Sequence, residues 1–260
     1  MLRLGGSSLS ALILSLLLAF LSMPLGSATL VAADLPETIK RIKGGVVGIG
    51  TYQATRRPPS LFKATGFVVG NGNTAITNNH AITDDLDLEN REQLAVFVRV
   101  GETVQRRTAR IKKQDPKYDV AILAFDGPPL PALKLSRGPD LPEGRLVAFT
   151  GFPIGSVLGL YPVTHRGIVS AFTPIAIPQR THRQLDPKMI QQLQERFFVY
   201  QLDATAYPGN SGSPLYDPAT GEVHGIVSIV FVKDSKERVL QDPSGISYAI
   251  PIRHAVKLLE

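Results

Sequence analysis

Three short runs of this 260-residue chain hold side-chain types that could divide the work of nucleophilic catalysis. The run Asp203-Ala204-Thr205-Ala206-Tyr207-Pro208-Gly209-Asn210-Ser211-Gly212-Ser213-Pro214 puts Ser211 in a glycine-containing tight turn. Such a turn exposes a hydroxyl while neighbouring N–H groups converge on one spot, which suits a nucleophile and the donors for a developing oxyanion. At Gly209 the backbone can turn its N–H outward without a side chain interfering. A weak hydroxyl nucleophile needs a base that changes protonation near neutral pH, which is the province of histidine. His80 ends the run Thr77-Asn78-Asn79-His80, but His165, His182, His224 and His254 are also present, and residue type alone does not choose among the five. An acid is offered by Asp119, which opens the apolar run Val120-Ala121-Ile122-Leu123. Its burial would be costly without a partner, and orienting a histidine would supply one.

The elements that must position these groups read as short strands. Val46–Tyr52, Thr65–Val69, Thr74–Thr77, Leu94–Val100, Val104–Ile111, Val120–Phe125, Arg145–Thr150, His165–Ala171, Phe198–Leu202, Val223–Phe231 and Gly245–Ile250 are each β-rich. Gly70-Asn71-Gly72-Asn73 carries an Asn-Gly hairpin signal, whereas the arginines and prolines of Gln53–Pro59 are expected to stop any sheet. Strands at this frequency argue for a sandwich or barrel. Gly127–Pro142 is rich in proline and marks the expected boundary between two halves. Helices are expected at Leu35–Lys43, Asp186–Arg196 and Ile252–Leu258.

Composition narrows the class. Hydrophobic residues are 43% and charged residues 19% of the chain, which suits a folded domain. The layout of Arg3, the charge-free Ala11–Leu21 and the small residues ending at Ala33 is that of a secretory signal peptide over residues 1–33. The apolar core is shorter than a membrane span requires, so no membrane attachment is expected after cleavage. The expected location is periplasmic or secreted. There is no cysteine, which removes thiol catalysis and thiolate-bound zinc, and nothing calls for a metal or cofactor. Residues 1–33 hold one arginine and no acid, leaving 27 basic against 22 acidic residues in the remainder. That mild excess has no basic block with interleaved aromatics, so no nucleic-acid partner is expected.

Taken in order, the motifs resemble the chymotrypsin-like serine proteases, and more narrowly the HtrA family. The resemblance rests on Thr65-Gly66-Phe67, Thr77-Asn78-Asn79-His80, Tyr118-Asp119-Val120-Ala121-Ile122-Leu123, Gly151-Phe152-Pro153-Ile154-Gly155, Gly167-Ile168-Val169-Ser170-Ala171, Pro208-Gly209-Asn210-Ser211-Gly212 and Tyr248-Ala249-Ile250-Pro251. The order His…Asp…Ser belongs to that clan and not to subtilisins or α/β-hydrolases. An α/β-hydrolase elbow would want G-x-S-x-G before a helix, and here Ser213 and Pro214 precede a strand.

The resemblance implies an all-β domain at 34–260, a chymotrypsin-like pair of six-stranded barrels over about 44–126 and 144–251 with a short C-terminal helix. It implies a triad of His80, Asp119 and Ser211, with Gly209 and Ser211 N–H groups forming the oxyanion hole. It also implies polypeptide substrates, unfolded extracytoplasmic proteins among them, and suggests homotrimers. By alignment the specificity pocket is lined by Thr205, Ser228, Ile229, Val230 and Ile246. None is acidic, and the branched residues favour a small aliphatic P1 side chain.

There are departures. Asn210 stands where zymogen-activated relatives carry an aspartate, and Ser213 replaces a glycine of the family's usual run. The family's PDZ domain would follow the region near Pro251, and the sequence ends nine residues later, so peptide-tail recognition is not carried over. Two other readings remain: an inactive homologue serving as holdase or scaffold, and a glutamate-specific protease of the same clan. The second expects a histidine where Val227 stands. The basic 179–196 insertion reads as a surface loop.

Overall fold

The computed structural model describes residues 35–82, 86–155, 159–175, 197–229 and 245–260. Among them are helix α1 (Leu35–Gly44), strands β1 (Val46–Tyr52), β2 (Ser60–Val69), β3 (Thr74–Thr77), β4 (Gln93–Val100), β5 (Thr103–Asp115) and β6 (Val120–Phe125). Then come β7 (Leu146–Gly151), β8 (Val163–Ile175), β9 (Phe197–Asp203), β10 (Pro214–Tyr216), β11 (Val223–Ser228), β12 (Ile246–Pro251) and helix α2 (Arg253–Leu259). The first six strands close into one antiparallel barrel in the order β1-β2-β3-β6-β5-β4. The last six close into a second, β10-β11-β12-β9-β8-β7. The all-β double barrel with a short C-terminal helix is therefore the architecture found. No helix among the described residues is long and apolar enough to cross a membrane.

Strand periodicity explains how the two barrels share one seam. Successive side chains of a strand point to opposite faces. In β6, Ala121, Leu123 and Phe125 fill the first barrel, while Val120 and Ile122 join the cluster between the barrels. In β7, Val147 and Phe149 fill the second barrel and Ala148 faces the seam. Both faces are dry, so β6 reads as an unbroken apolar run and every residue in it is buried. Gly127–Pro142 joins the halves but is not a loose tether. Leu133 N–H donates to Val68 O on one barrel, and Ser136 N–H donates to Val223 O on the other, each at 2.8 Å.

Gln53–Pro59 is the strand-free loop expected, and it joins β1 and β2 into one long hairpin in which Tyr52 pairs with Ser60. Arg56 ties that loop down by bonding Glu92 at 2.6 Å and the Pro59 carbonyl at 3.2 Å. In the β2–β3 turn the positive φ angles fall on Gly70 and Gly72, while Asn71 uses its side-chain oxygen to accept from Asn73 N–H. The short strand β10 was not anticipated. Residues 1–33, the helix at 186–196, the 179–196 insertion, Val230 and the end of the 223–231 run lie outside the described residues.

Candidate active site

His80 lies in a single 3-10 turn, Asn79–Ala81, where β3 ends. Asp119 begins β6, the neighbour to which β3 is hydrogen-bonded. Adjacency of these two strands brings together residues 39 positions apart. His80 Nδ1 lies 2.8 Å from Asp119 Oδ2, and the His80 backbone N–H donates to Asp119 Oδ1 at 2.8 Å. Both carboxylate oxygens are thus engaged by one residue. The Ser228 hydroxyl donates to Asp119 Oδ2 at 3.2 Å, so a carboxylate only 6% exposed has three donors. Donors of this number offset the desolvation of a buried carboxylate.

Asp119 adopts φ +54°, a left-handed conformation that aspartate tolerates better than most residues. The conformation is held from both sides. The Asp119 carbonyl accepts from Asn79 N–H and from the Asn78 side-chain amide, each at 3.1 Å. Ahead of it, Asp115 Oδ1 accepts from Lys117 and Tyr118 N–H groups and folds the chain into the turn that leads in. With a neutral ring, donation from Nδ1 to the carboxylate leaves Nε2 as the lone-pair nitrogen, the tautomer a general base needs.

Ser211 is 5% exposed and sits in the loop between β9 and β10. Its Oγ accepts from Ile229 N–H at 3.4 Å. Gly209 has φ +99°, and a Cβ there would stand 2.3 Å from the Phe152 carbonyl. Gly212 has φ +85°, and its Cβ would meet the Thr65 carbonyl at 2.0 Å. Only glycine satisfies the turn and the close approach at these two positions. Ser213 is accommodated because it faces another glycine: a Cβ on Gly151 would lie 2.0 Å from the Ser213 hydroxyl.

Of the expected pocket residues, Thr205 is half-buried and Ile246 is 45% exposed at the start of β12. Ile229 packs at the edge of the second barrel's core. Ser228 is wholly buried and its hydroxyl donates to Asp119.

Three contributors gave no signal of their own in the sequence. Thr65, there only part of a motif, bonds the Ser211 loop twice and Phe152 N–H once. Ile154 holds φ +50° and donates its N–H to the Pro208 carbonyl at 2.7 Å. His165 lies against Phe149 with ring centroids 4.8 Å apart, close to Tyr207. Burial lowers its pKa, so it is a neutral aromatic neighbour of the loop. Nothing in the sequence signals Ile154, since a left-handed Ile is rare.

The family model for the trypsin-like peptidase domain matches residues 64–226, a span that includes His80, Asp119 and Ser211. The chain belongs to the trypsin-like peptidase family. Among curated proteins it is 32% identical over 188 residues to a probable periplasmic serine endoprotease, DegP-like, of Pseudomonas fluorescens, covering 72% of this chain and 32% of the relative. It is 31% identical over 221 residues to serine protease HTRA1B of Danio rerio, covering 84% and 39% respectively. The chain spans about a third of the length of the curated relatives it matches. An HtrA-type protease solved with a tripeptide superposes with TM-score 0.61 at 24% identity, covering 87% of this chain and 62% of that one. A Mycobacterium tuberculosis protease in its active form gives TM-score 0.62 at 22% identity, covering 85% and 82%. Those two likenesses speak for the fold.

Proposed function

We propose that this chain is a serine endopeptidase in which Ser211 is the nucleophile, His80 the general base and Asp119 the group that orients and stabilises the histidine. The observation that carries the reading is the 2.8 Å contact between His80 Nδ1 and a buried Asp119 carboxylate, within the domain that also holds the Ser211 turn. His80 Nε2 takes the Ser211 proton as Oγ attacks the scissile carbonyl. The oxyanion so formed is received by Gly209 and Ser211 N–H groups, where fixed donors matter most. The imidazolium, stabilised by Asp119, passes its proton to the leaving amine, and water then hydrolyses the acyl-enzyme by the reverse sequence.

Names of relatives support a periplasmic location, and unfolded extracytoplasmic polypeptides are the substrates of the proposal. The apolar, branched Ile229 and Ile246 support a small aliphatic P1 residue, and a chromogenic peptide panel in which arginyl substrates are cleaved best would overturn that preference. Homotrimeric assembly is part of the proposal, and light scattering that returns a monomer mass would remove it. The function itself is tested by hydrolysis of unfolded casein with the parent and Ser211→Ala. Activity in the parent that vanishes in the variant supports the protease and its nucleophile together, and equal activity in both sinks the assignment.

A further inference from the structure

A trans peptide is planar, so fixing a carbonyl also fixes the direction of the N–H that follows it. Along the nucleophile loop every carbonyl from Tyr207 to Ser211 is fixed. Tyr207 O accepts from Asn210 N–H at 2.9 Å, Pro208 O from Ile154 N–H at 2.7 Å, and Asn210 O from Ser213 N–H at 3.0 Å. The two that remain, Gly209 O and Ser211 O, both go to Thr65: its hydroxyl donates to Gly209 O at 2.7 Å and its N–H to Ser211 O at 2.9 Å. The same hydroxyl accepts from Phe152 N–H at 3.0 Å. By contrast, the N–H groups of Gly209 and Ser211 have no acceptor among the described residues. Pro208 O and Asn210 O belong to the same peptides as the two amides an oxyanion would need, and Gly209 O belongs to the peptide between them.

We infer that Thr65, a fully buried residue on β2 of the first barrel, is the positioning residue that fixes the Gly209–Asn210 peptide, the link that sets how the Gly209 and Ser211 N–H groups of the second barrel are oriented relative to one another. It does not touch substrate. Its hydroxyl bridges the two backbone segments that form the loop's rear wall, accepting from Phe152 and donating to Gly209. Gly209 is the position that cannot hold itself. With φ +99° and no side chain, its flanking peptides rotate at little steric cost unless something external pins them. Of the five carbonyls, only Gly209 O is pinned by a side chain, so a single substitution can release it. Thr65→Val keeps the shape and the backbone N–H contact and removes only the hydroxyl.

The inference rests on the protease reading, so it needs a readout that does not. Thr65→Val, Thr65→Ala and Thr65→Ser are compared with the parent for kcat and KM on a small chromogenic peptide. Crystal structures of the parent and Thr65→Val supply the second readout. Removing the hydroxyl is expected to lower kcat about 10- to 100-fold with KM within about twofold, because the loss falls on a transition-state contact. Thr65→Ser is expected to restore most of the rate. The Thr65→Val structure is expected to show the Gly209–Asn210 peptide turned. Should Thr65→Val fail to fold, Thr65→Ala with the same rate comparison takes its place. Unchanged kcat in both variants, a loss residing in KM, or a serine variant as impaired as the valine would overturn the inference. If the parent does not turn over at all, the protease reading falls, and the crystal comparison still decides: a turned peptide upholds the inference and an unmoved one overturns it.

Discussion

The two barrels share a topology and differ in what they put inside. The first is filled by Val47, Ile49, Val68, Val96, Leu123 and Phe125 and their aliphatic neighbours. The core cluster of the second also holds a phenol. Tyr200 is 1% exposed, and its hydroxyl donates to Asp140 at 3.1 Å and accepts from Leu141 N–H at 3.2 Å. Burial pushes that phenol well above its ordinary range. On the face of that barrel turned to the seam, Thr164, Thr150 and Tyr216 form a hydroxyl chain with steps of 2.8 and 2.9 Å. His80 and Asp119 sit at the rim of the first barrel, and the Ser211 turn lies on the second.

The dependence is reciprocal. Ser228 of the second barrel donates to Asp119 of the first, while Thr65 of the first holds Gly209 and Ser211 of the second. Neither barrel positions its own part of the candidate site unaided. The seam between the barrels is what organises that site.

The largest effect is expected at the first barrel's pair. Asp119→Asn should lower kcat about 10⁴-fold, since an amide no longer holds the Nδ1–H tautomer. A steady-state assay with KM little changed supports the pairing, and a loss below tenfold breaks it. Next comes the second barrel's loop. Gly209→Ala forces a Cβ toward the Phe152 carbonyl and should cost about 10²-fold in kcat through displaced donors. A milder effect is expected where one barrel reaches across to the other. Ser228→Ala removes one donor of three from Asp119 and should cost about tenfold or less in kcat, with about 1–2 kcal/mol of stability by denaturant titration. An Asp119→Asn loss that Ser228→Ala does not alter further would fit a shared role, because effects within one unit do not add.

The smallest expected effect concerns the helix that spans both halves. His254 of α2 stacks on Tyr118 beside the acid, centroids 3.9 Å apart, and meets Phe197 of the second barrel edge-on at 6.0 Å. Burial, helped by the neighbouring Arg253 cation, lowers its pKa to about 4 against an ordinary 6.5. The unfolded chain therefore binds a proton at this residue between pH 6.5 and 4 that the folded chain refuses, so stability falls as pH drops through that window. His254→Phe keeps an aromatic stack and removes the titration, and should flatten the stability–pH curve there. Glu92 works at lower pH. Hydrogen bonds from Asp87 N–H and Thr51, with Arg56 beside it, hold its carboxyl down at about 2 from 4.5. Its contribution is complete above pH 4.5 and is lost as pH falls through about 2. Urea midpoints measured across pH 2 to 7 check both, and a His254→Phe curve parallel to the parent's would contradict the first.

Much of this was legible in the residues. Alternation and turn signals located most of the strands, and β6 announced itself as buried because both its faces are dry. The candidate base could not be chosen from five histidines by type. It emerged from the motif order, and the fold now sets His80 against Asp119 while His254 and His165 prove to be buried stacking partners. What stayed hidden depends on contacts across long sequence separations. Thr65 and Gly209 are 144 residues apart, and nothing local to either indicates the bond. Nor does the backbone position of Ser228 reveal where its hydroxyl turns. The three-residue β10 is too short to carry a period, and a proline opens it.

The central claim is that Ser211 is a nucleophile activated across the seam by His80. Labelling by a fluorophosphonate, read by intact mass and peptide mapping, tests it without knowledge of the natural substrate. One adduct on Ser211 of the parent, absent in Ser211→Ala and slowed at least about 10³-fold in His80→Ala, is the expected result. An unlabelled parent that is folded, or an adduct formed equally fast without His80, would contradict it.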